Sequence, residues 1–335
     1  MSQHVTISDV AKAAGVSVTT VSRYLNGHYQ KMSAQTKERI DATINQLHYV
    51  PAASARRLRQ TQSHLVGVLV GDIANHFSSL LSKGIYDILQ PAGYDVLLMN
   101  TNNSQEMEKK ALDDLYQQRV DGIIVQPNSR SFEQYQSILR NQTPLVLVDR
   151  EVDDQPLTVG KVTSANFDAS YRLGRQLGKK GYANVITVSS RFAEASGQHP
   201  RIKGFQLAAS ETGLTYHNIE IKGHDDDWLA RELTRVMGQL NGRTVVISLM
   251  GPILFTLLKI FKHEKVTFPK DLGLISFDDW SWSQYVGEDG IFLLRQDMEL
   301  MGNLAAQKLL TQIKNHSTIS DTSILPVTVD MHSSI

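Results

Sequence analysis

"VTISDVAKAAGVSVTTVSRYLNG", Val5–Gly27, decides how this 335-residue chain is read. Thr6 and Asp9 have the spacing of a capping box, in which two side chains satisfy free backbone amides at a helix start. Val10, Ala11 and Ala14 follow as an apolar stripe. Gly15 interrupts it and supplies a tight turn, because glycine adopts left-handed backbone without a steric cost. Ser17 is a good N-cap for a second helix, and Asn26-Gly27 a good stop. That second helix is crowded with short hydroxyl residues and carries a single arginine.

Two short helices joined by a glycine turn describe a helix-turn-helix. A recognition helix puts its N-terminal residues against base edges in the major groove, and short side chains let it approach closely. Val18 offers a methyl surface to thymine. Thr19, Thr20 and Ser22 offer hydroxyls, and Arg23 reaches guanine or phosphate. The competing reading is a small three-helix bundle whose Ser and Thr only cap; the spacing favours DNA. Ser33 caps a third helix with apolar positions Ile40, Ile44 and Leu47. Charge agrees with a polyanion partner: residues 1–62 hold eight Lys and Arg against three Asp and Glu, a net of +5, and the remainder carries −5.

The rest of the composition is ordinary for a globular protein, with 41% hydrophobic and 20% charged residues, and the length suits two or three domains. The chain has no cysteine, which excludes disulfides, a thiol nucleophile and Cys-ligated zinc. No run of about 18 apolar residues spans a membrane. The start, MSQHVTISDV, lacks a secretory signal's basic and apolar regions, so the expected location is cytoplasmic.

From Leu65 onward, apolar strand-like runs alternate with amphipathic helical ones. The strands are LVGVLV (65–70), YDVLLMN (94–100), GIIVQ (122–126), PLVLVD (144–149), NVITVSS (184–190), TVVISLM (244–250) and LGLISF (272–277). Buried apolar strands separated by helices mean parallel sheets in βαβ units. LQPAGYDVLLMN (89–100) echoes LGKKGYANVITVSS (177–190), as two similar lobes would. Ligands of open α/β sheets sit beyond the carboxyl ends of the strands. That rule selects the loops after Val70, Asn100, Gln126, Val148, Ser190, Met250 and Phe277.

The elements T-I-x-D-V-A, A-G-V-S, T-V-S-R and L-N-G in the opening stretch resemble the signature headpiece of the lactose-repressor/galactose-repressor family of bacterial transcription regulators. The resemblance continues along the chain. It implies an all-α helix-turn-helix headpiece over 1–48 and a hinge helix and linker over 49–63. The remainder, 64–335, would be a periplasmic-binding-protein-like core of two doubly wound α/β lobes, an α/β fold. The N-lobe would take about 64–163 and 294–323, the C-lobe about 164–293 and 324–335.

The DNA-contacting set it implies is Thr6, Ser17, Val18, Thr19, Thr20, Ser22, Arg23, Asn26 and Lys31, with Tyr49, Ala55 and Leu58 from the hinge. Leu58 matches the leucine that wedges into the minor groove and bends the duplex. Ala52 stands where the family usually has Asn after the hinge proline, Pro51. The loop between Asn26 and Ser33 is one residue longer than the common pattern.

For the effector, GDIANHF (71–77) brings Asp72, His76 and Phe77 to the pocket wall. VDRE brings Asp149 and Arg150, HPRIKGF brings Arg201, and SFDDW brings Asp278 with Trp280 beside it. Gln296 belongs to the same set, and Trp228 and Trp280 are candidates for stacking on a sugar face, each reading equally well as a packed surface aromatic. Carboxylates and an arginine fork suit a polyhydroxylated ligand. Met250-Gly251-Pro252 replaces a polar pair of the family and makes that wall more apolar. SFDDWSW with GIFLLRQDMELMG is most similar to the sugar-acid, ketogluconate-type branch.

The implied protein is a homodimeric repressor on a near-palindromic operator of double-stranded DNA, released or recruited by a sugar or sugar-acid effector, with no cofactor, metal or membrane. The chain's end, VTVDMHSSI, carries no leucine heptads, so a tetramer through a tail coiled coil is not expected. A regulator gated by a phosphocarrier protein is the alternative. An enzyme is disfavoured, because no Walker loop, G-x-S-x-G, G-x-G-x-x-G after a strand or metal-spaced His pair occurs. Asp225-Asp226-Asp227 could hold a cation, but reads better as a solvated loop.

Overall fold

A computed structural model describes residues 5–50, 62–190, 196–278, 282–287, 289–315 and 321–335. Ala55, Leu58 and Trp280, and the side chain of Lys31, lie outside what it describes. The chain divides into two compact units, Met1–Ser63 and His64–Ile335.

The first unit holds three helices, α1 (Ile7–Ala13), α2 (Val18–Leu25) and α3 (Ala34–Gln46), with a 3-10 turn at Tyr29–Lys31. Each helix starts on a hydroxyl cap. The Thr6–Asp9 box is present in both directions, Ser17 accepts from the Thr20 amide, and Ser33 from that of Thr36. Gly15 turns the chain at φ +62°. The core is small: Val10, Ala11, Ala14, Val21 and Ile40 are buried, and Tyr49 packs against them. The Tyr24 hydroxyl donates to Asp41 at 2.6 Å and ties α2 to α3.

The second unit contains two six-stranded sheets. The first takes β1 (Leu65–Val70), β2 (Asp95–Asn100), β3 (Gly122–Val125), β4 (Leu145–Val148), β5 (Gly160–Ser164) and β11 (Thr322–Leu325), in the order β11-β5-β4-β3-β1-β2, all parallel. The second takes β6 (Asn184–Ser189), β7 (Thr215–Glu220), β8 (Thr244–Ser248), β9 (Gly273–Phe277), β10 (Phe292–Arg295) and β12 (Thr328–Asp330), in the order β12-β10-β9-β8-β6-β7. Only β12 runs antiparallel to its neighbour.

The helices of the first lobe are α4 (His76–Leu89), α5 (Gln105–Gln117), α6 (Gln136–Arg140) and α11 (Met298–Asn315). Those of the second are α7 (Asn166–Lys179), α8 (Gln198–Thr212), α9 (Asp226–Met237) and α10 (Gly251–His263). The chain passes between the sheets three times, at Ala165, at Gln296-Asp297 and at Pro326-Val327.

Both faces of each sheet are covered, so the central strands are continuous apolar runs. All six residues of β1 are buried. Val66, Val68 and Val70 pack towards α4 and α11, while Leu65 and Leu69 pack with Leu112 and Leu115 of α5. The helices α4 and α11 meet backbone to backbone. A Cβ on Gly84 would stand 2.2 Å from the Glu299 carbonyl oxygen, and one on Gly302 2.3 Å from that of Leu81. The echo between 89–100 and 177–190 is structural: Tyr94 and Tyr182 are both buried, and each follows a glycine in left-handed backbone. Among the described residues no helix is long and apolar enough to cross a membrane.

Candidate functional site

In the first unit, α2 presents Val18, Thr19 and Arg23 to solvent. Val18 is 39% exposed, a large fraction for an apolar side chain at a helix start. The structure amends the set at Ser22, which is 9% exposed and packs inward; its carbonyl accepts Asn26 Nδ2 at 2.8 Å. Thr20 is partly buried and shares its hydroxyl with Ser17 at 2.8 Å. Thr6 is exposed but engaged with Asp9. Tyr49 is half-buried against the small core.

In the second unit, the strand ends of both lobes line one cleft. Two carboxylates face it from equivalent places. Asp149 directly follows β4, and Asp278 directly follows β9. Both have left-handed backbone, φ +67° and +55°, and both are buried. Such backbone is uncommon for a side-chain-bearing residue, though aspartate tolerates it better than most. The turn aims each carboxylate across the end of its sheet.

Each aspartate is held by a glutamine. Gln126 Nε2 donates to Asp149 Oδ2 at 2.7 Å, while Gln126 Oε1 accepts the Gly71 amide at 2.7 Å. Gln296 donates to Asp278 twice, from its backbone amide at 2.8 Å and from Nε2 at 2.5 Å. The Gln296 Oε1 is buried without a donor among the described residues.

Two arginines balance the carboxylates. Arg201, on α8, is 4% exposed. Its Nε donates to Asn166 Oδ1 at 2.8 Å and its Nη1 to the Leu249 carbonyl at 2.6 Å, and the guanidinium lies 4.0 Å above the Phe277 ring. Arg150 stands on the opposite wall, its Nε 3.8 Å from Asp149 Oδ2. Burial raises the Asp149 carboxyl, opposed by Arg150, Gln126 and Arg201. Burial pushes Asp278 up to about 6, against the pull of Arg201 and Gln296. Burial also lowers the Arg201 guanidinium, with Asp278 and Asp149 opposing.

Phe77 and Met250 complete the cleft's apolar lining, with Met298 beside them. Three expected residues stand elsewhere. Asp72 closes a local turn by accepting the Ala74 amide at 2.9 Å. His76 lines a neighbouring depression that shares Asp278, Gln296 and Met298 with the cleft. Trp228, on α9, stacks on His224 at 4.2 Å and packs into the second lobe's core, so it is a packing aromatic. Asp225 caps α9 and Asp226 pairs with Lys259 at 2.8 Å. Among the described residues no metal-binding cluster occurs.

Residues 6–52 match the family described as bacterial regulatory proteins, lacI family. Residues 63–236 match periplasmic binding proteins and sugar binding domain of LacI family, and residues 175–335 a periplasmic binding protein-like domain. The chain belongs to the LacI family. It is similar to the HTH-type transcriptional regulator KdgR of Bacillus subtilis, 29% identical over 99% of this chain and 98% of that one. PtxS of Pseudomonas putida, another HTH-type transcriptional regulator, is 31% identical over 94% of this chain and 91% of its own. The fold is that of the lac repressor dimer solved with operator and the anti-inducer ONPF, at TM-score 0.78 and 20% identity over 99% of both chains. This LacI-family chain is therefore a DNA-binding transcription regulator with an effector-binding domain, and not an enzyme.

The cleft of this LacI-family regulator also contains Gln126, Gln198, Asn75 and Met298, which the reading of single residues missed. Gln126 ends an apolar strand, and that position was its signal. Gln198 is 6% exposed and closes a two-way pair with Ser190: its Oε1 accepts the Ser190 amide and its Nε2 donates to the hydroxyl, both at 2.9 Å. Nothing local marks it, because its burial comes from contacts distant in sequence.

The raised acids give a pH expectation. Asp278 at about 6 and the buried Glu108 at about 7 hold protons more tightly folded than unfolded. Their stabilisation is full below the unfolded values near 4 and is lost as pH rises through 6 and 7, on the order of 3 kcal/mol each. Ligand-free protein should thus gain urea stability as pH falls from 8 to 5. Stability that is flat or declines as pH falls from 8 to 5 would contradict these two environments.

Proposed function

We propose that this LacI-family chain is a homodimeric repressor that reads a near-palindromic operator with α2 and is controlled by a sugar acid in the cleft. The arrangement of Asp149, Arg150, Arg201 and Asp278 around one cleft carries the reading. The carboxylates accept hydroxyls of a polyol, and the guanidinium forks favour an anionic group. Phe77, Met250 and Met298 supply the apolar surface for the carbon face. Effector bound across both lobes changes how they stand to one another. Effector and operator must then alter each other's affinity by the same factor. A cytoplasmic location follows from that role.

The effector class is tested by thermal shift with 2-ketogluconate, gluconate and glucose. A ligand that binds only the folded state raises its melting temperature. The two acids should do so and glucose should not; a response to glucose alone would defeat the sugar-acid reading.

The DNA role is tested with a duplex selected from a random pool and followed by fluorescence anisotropy across a salt series. Arg23→Ala should weaken binding by on the order of tenfold. A lost phosphate contact lowers the salt slope by about one unit, whereas a lost base contact reduces discrimination against random DNA. Unchanged binding to both duplexes would remove Arg23 from the interface. Sedimentation velocity of the full chain reads the dimer.

A further inference from the structure

Glu108 lies in QEMEKKALDD on α5, a run whose charges ordinarily face water, yet it is fully buried. Its Oε2 accepts the Asn128 backbone amide at 2.7 Å. Its Oε1 accepts the Tyr135 hydroxyl and Gln134 Nε2. Asn128 is 1% exposed, and its Nδ2 donates to Thr101 Oγ1 at 2.7 Å. That leaves its Oδ1 to accept Arg150 Nη1. Arg150 Nη1 also donates to the Pro127 carbonyl at 3.1 Å, and Nη2 to Asn103 Oδ1 at 2.6 Å. A Cβ at Gly71 would stand 2.3 Å from Nη2, so glycine there makes room for the guanidinium.

A buried carboxylate is costly unless its hydrogen bonds are met, and here they are met by groups that lead to the cleft. We propose that Glu108 is a positioning residue of the cleft: through Asn128 it fixes the Arg150 guanidinium, and its charge sets the balance that Arg150 presents to an anionic effector. The second part rests on the sugar-acid reading; the first does not.

The charged or titratable groups that face Glu108 are Tyr135, from the turn after β3, and Arg150, from the segment after β4; Gln134 and Asn128 are neutral. With Glu108 ionised, Arg150 stands between two carboxylates, Glu108 and Asp149. With Glu108 protonated, Asp149 alone balances it. Burial raises Glu108 to about 7, opposed by Tyr135, Asn128 and Arg150, so the balance changes within the neutral range.

The test follows the Arg150 Nε–H resonance in ¹H–¹⁵N spectra of the full chain, assigned by Arg150→Lys. The wild-type resonance should move with an inflection near pH 7, and Glu108→Gln should flatten it. An inflection that survives Glu108→Gln and vanishes in Asp149→Asn assigns the sensing to Asp149 and overturns the proposal. Should Glu108→Gln fail to fold, Tyr135→Phe removes a donor to the ionised form, and the inflection should move to higher pH; an unmoved inflection overturns the proposal.

Calorimetry supplies the second arm. Glu108→Gln should bind 2-ketogluconate several-fold more tightly than wild type at pH 8, and glucose no differently. If neither protein binds 2-ketogluconate, the sugar-acid reading and the second part alone are overturned, because the resonance still decides whether Glu108 reaches Arg150; if the variant binds it no more tightly than wild type, the second part alone is overturned.

Discussion

Arg201→Ala should abolish the effector response while leaving ligand-free operator binding in place. The guanidinium sits among Asn166, Leu249, Phe277 and the two aspartates, and 4% exposure shields it from water. Its loss does two things. It removes a charge-assisted grip on the ligand, and it leaves the buried Asp149 and Asp278 without their shared cation. Breaking a buried pair from one side costs about 3–5 kcal/mol, so part of the effect will be a lower melting temperature. The grip itself should cost affinity ~100-fold, which is about 2.7 kcal/mol. The two are separable, because calorimetry with 2-ketogluconate reads the grip and urea unfolding without ligand reads the core. Arg201→Lys should fall between, keeping the charge but not the planar fork that reaches Asn166 and Leu249 together. An alanine variant whose DNA binding still responds normally to effector would remove Arg201 from the site.

Gly84→Ala should destabilise the second unit by about 3 kcal/mol or more, measured by urea unfolding. The added methyl would stand 2.2 Å from a backbone carbonyl oxygen of α11, which cannot turn aside as a side chain would. Gly302→Ala meets the Leu81 carbonyl at 2.3 Å from the other direction and should cost as much. Both push apart the same pair of helices, so the double variant should cost less than the sum. Gly181→Ala is the contrast: its methyl meets nothing within 4 Å, and only the left-handed φ of +80° opposes it. That should cost about 1–2 kcal/mol. Equal losses at all three positions would mean that the close crossing of α4 and α11 does not limit stability.

The central strands were legible in sequence because burial on both faces writes itself as an unbroken apolar run. The edges were not. β7 reads TYHNIE and has one buried residue, while β11 and β12 are short and largely exposed. β5, GKVTS, is central but brief; its glycine lies beside Gln312 and Lys308 of α11, and its lysine pairs with Glu151. Asp149, Arg150, Arg201 and Asp278 could be named because they follow strand ends or a family motif, and the structure gathers them around one cleft. Glu108 could not, since a charge in an acidic and basic run looks solvated until the fold closes over it. Trp228 was open in sequence between a sugar platform and a packed aromatic, and its contacts with the second lobe's core favour the latter. Ser22 shows the same limit in the first unit, where hydroxyls with similar neighbours face opposite sides of one helix turn.

The order of synthesis gives the three passages between sheets a further meaning. The helix-turn-helix completes its core by Tyr49, before any strand of the second unit is made. The first lobe waits for α11 and β11, and β11 ends at Leu325. The second waits for β12, at 328–330. A ribosome that has just finished β9 therefore carries a headpiece able to fold and two sheets that are both unfinished. A chain halted there should be deaf to effector, because neither sheet is complete until β11 and β12 have been made.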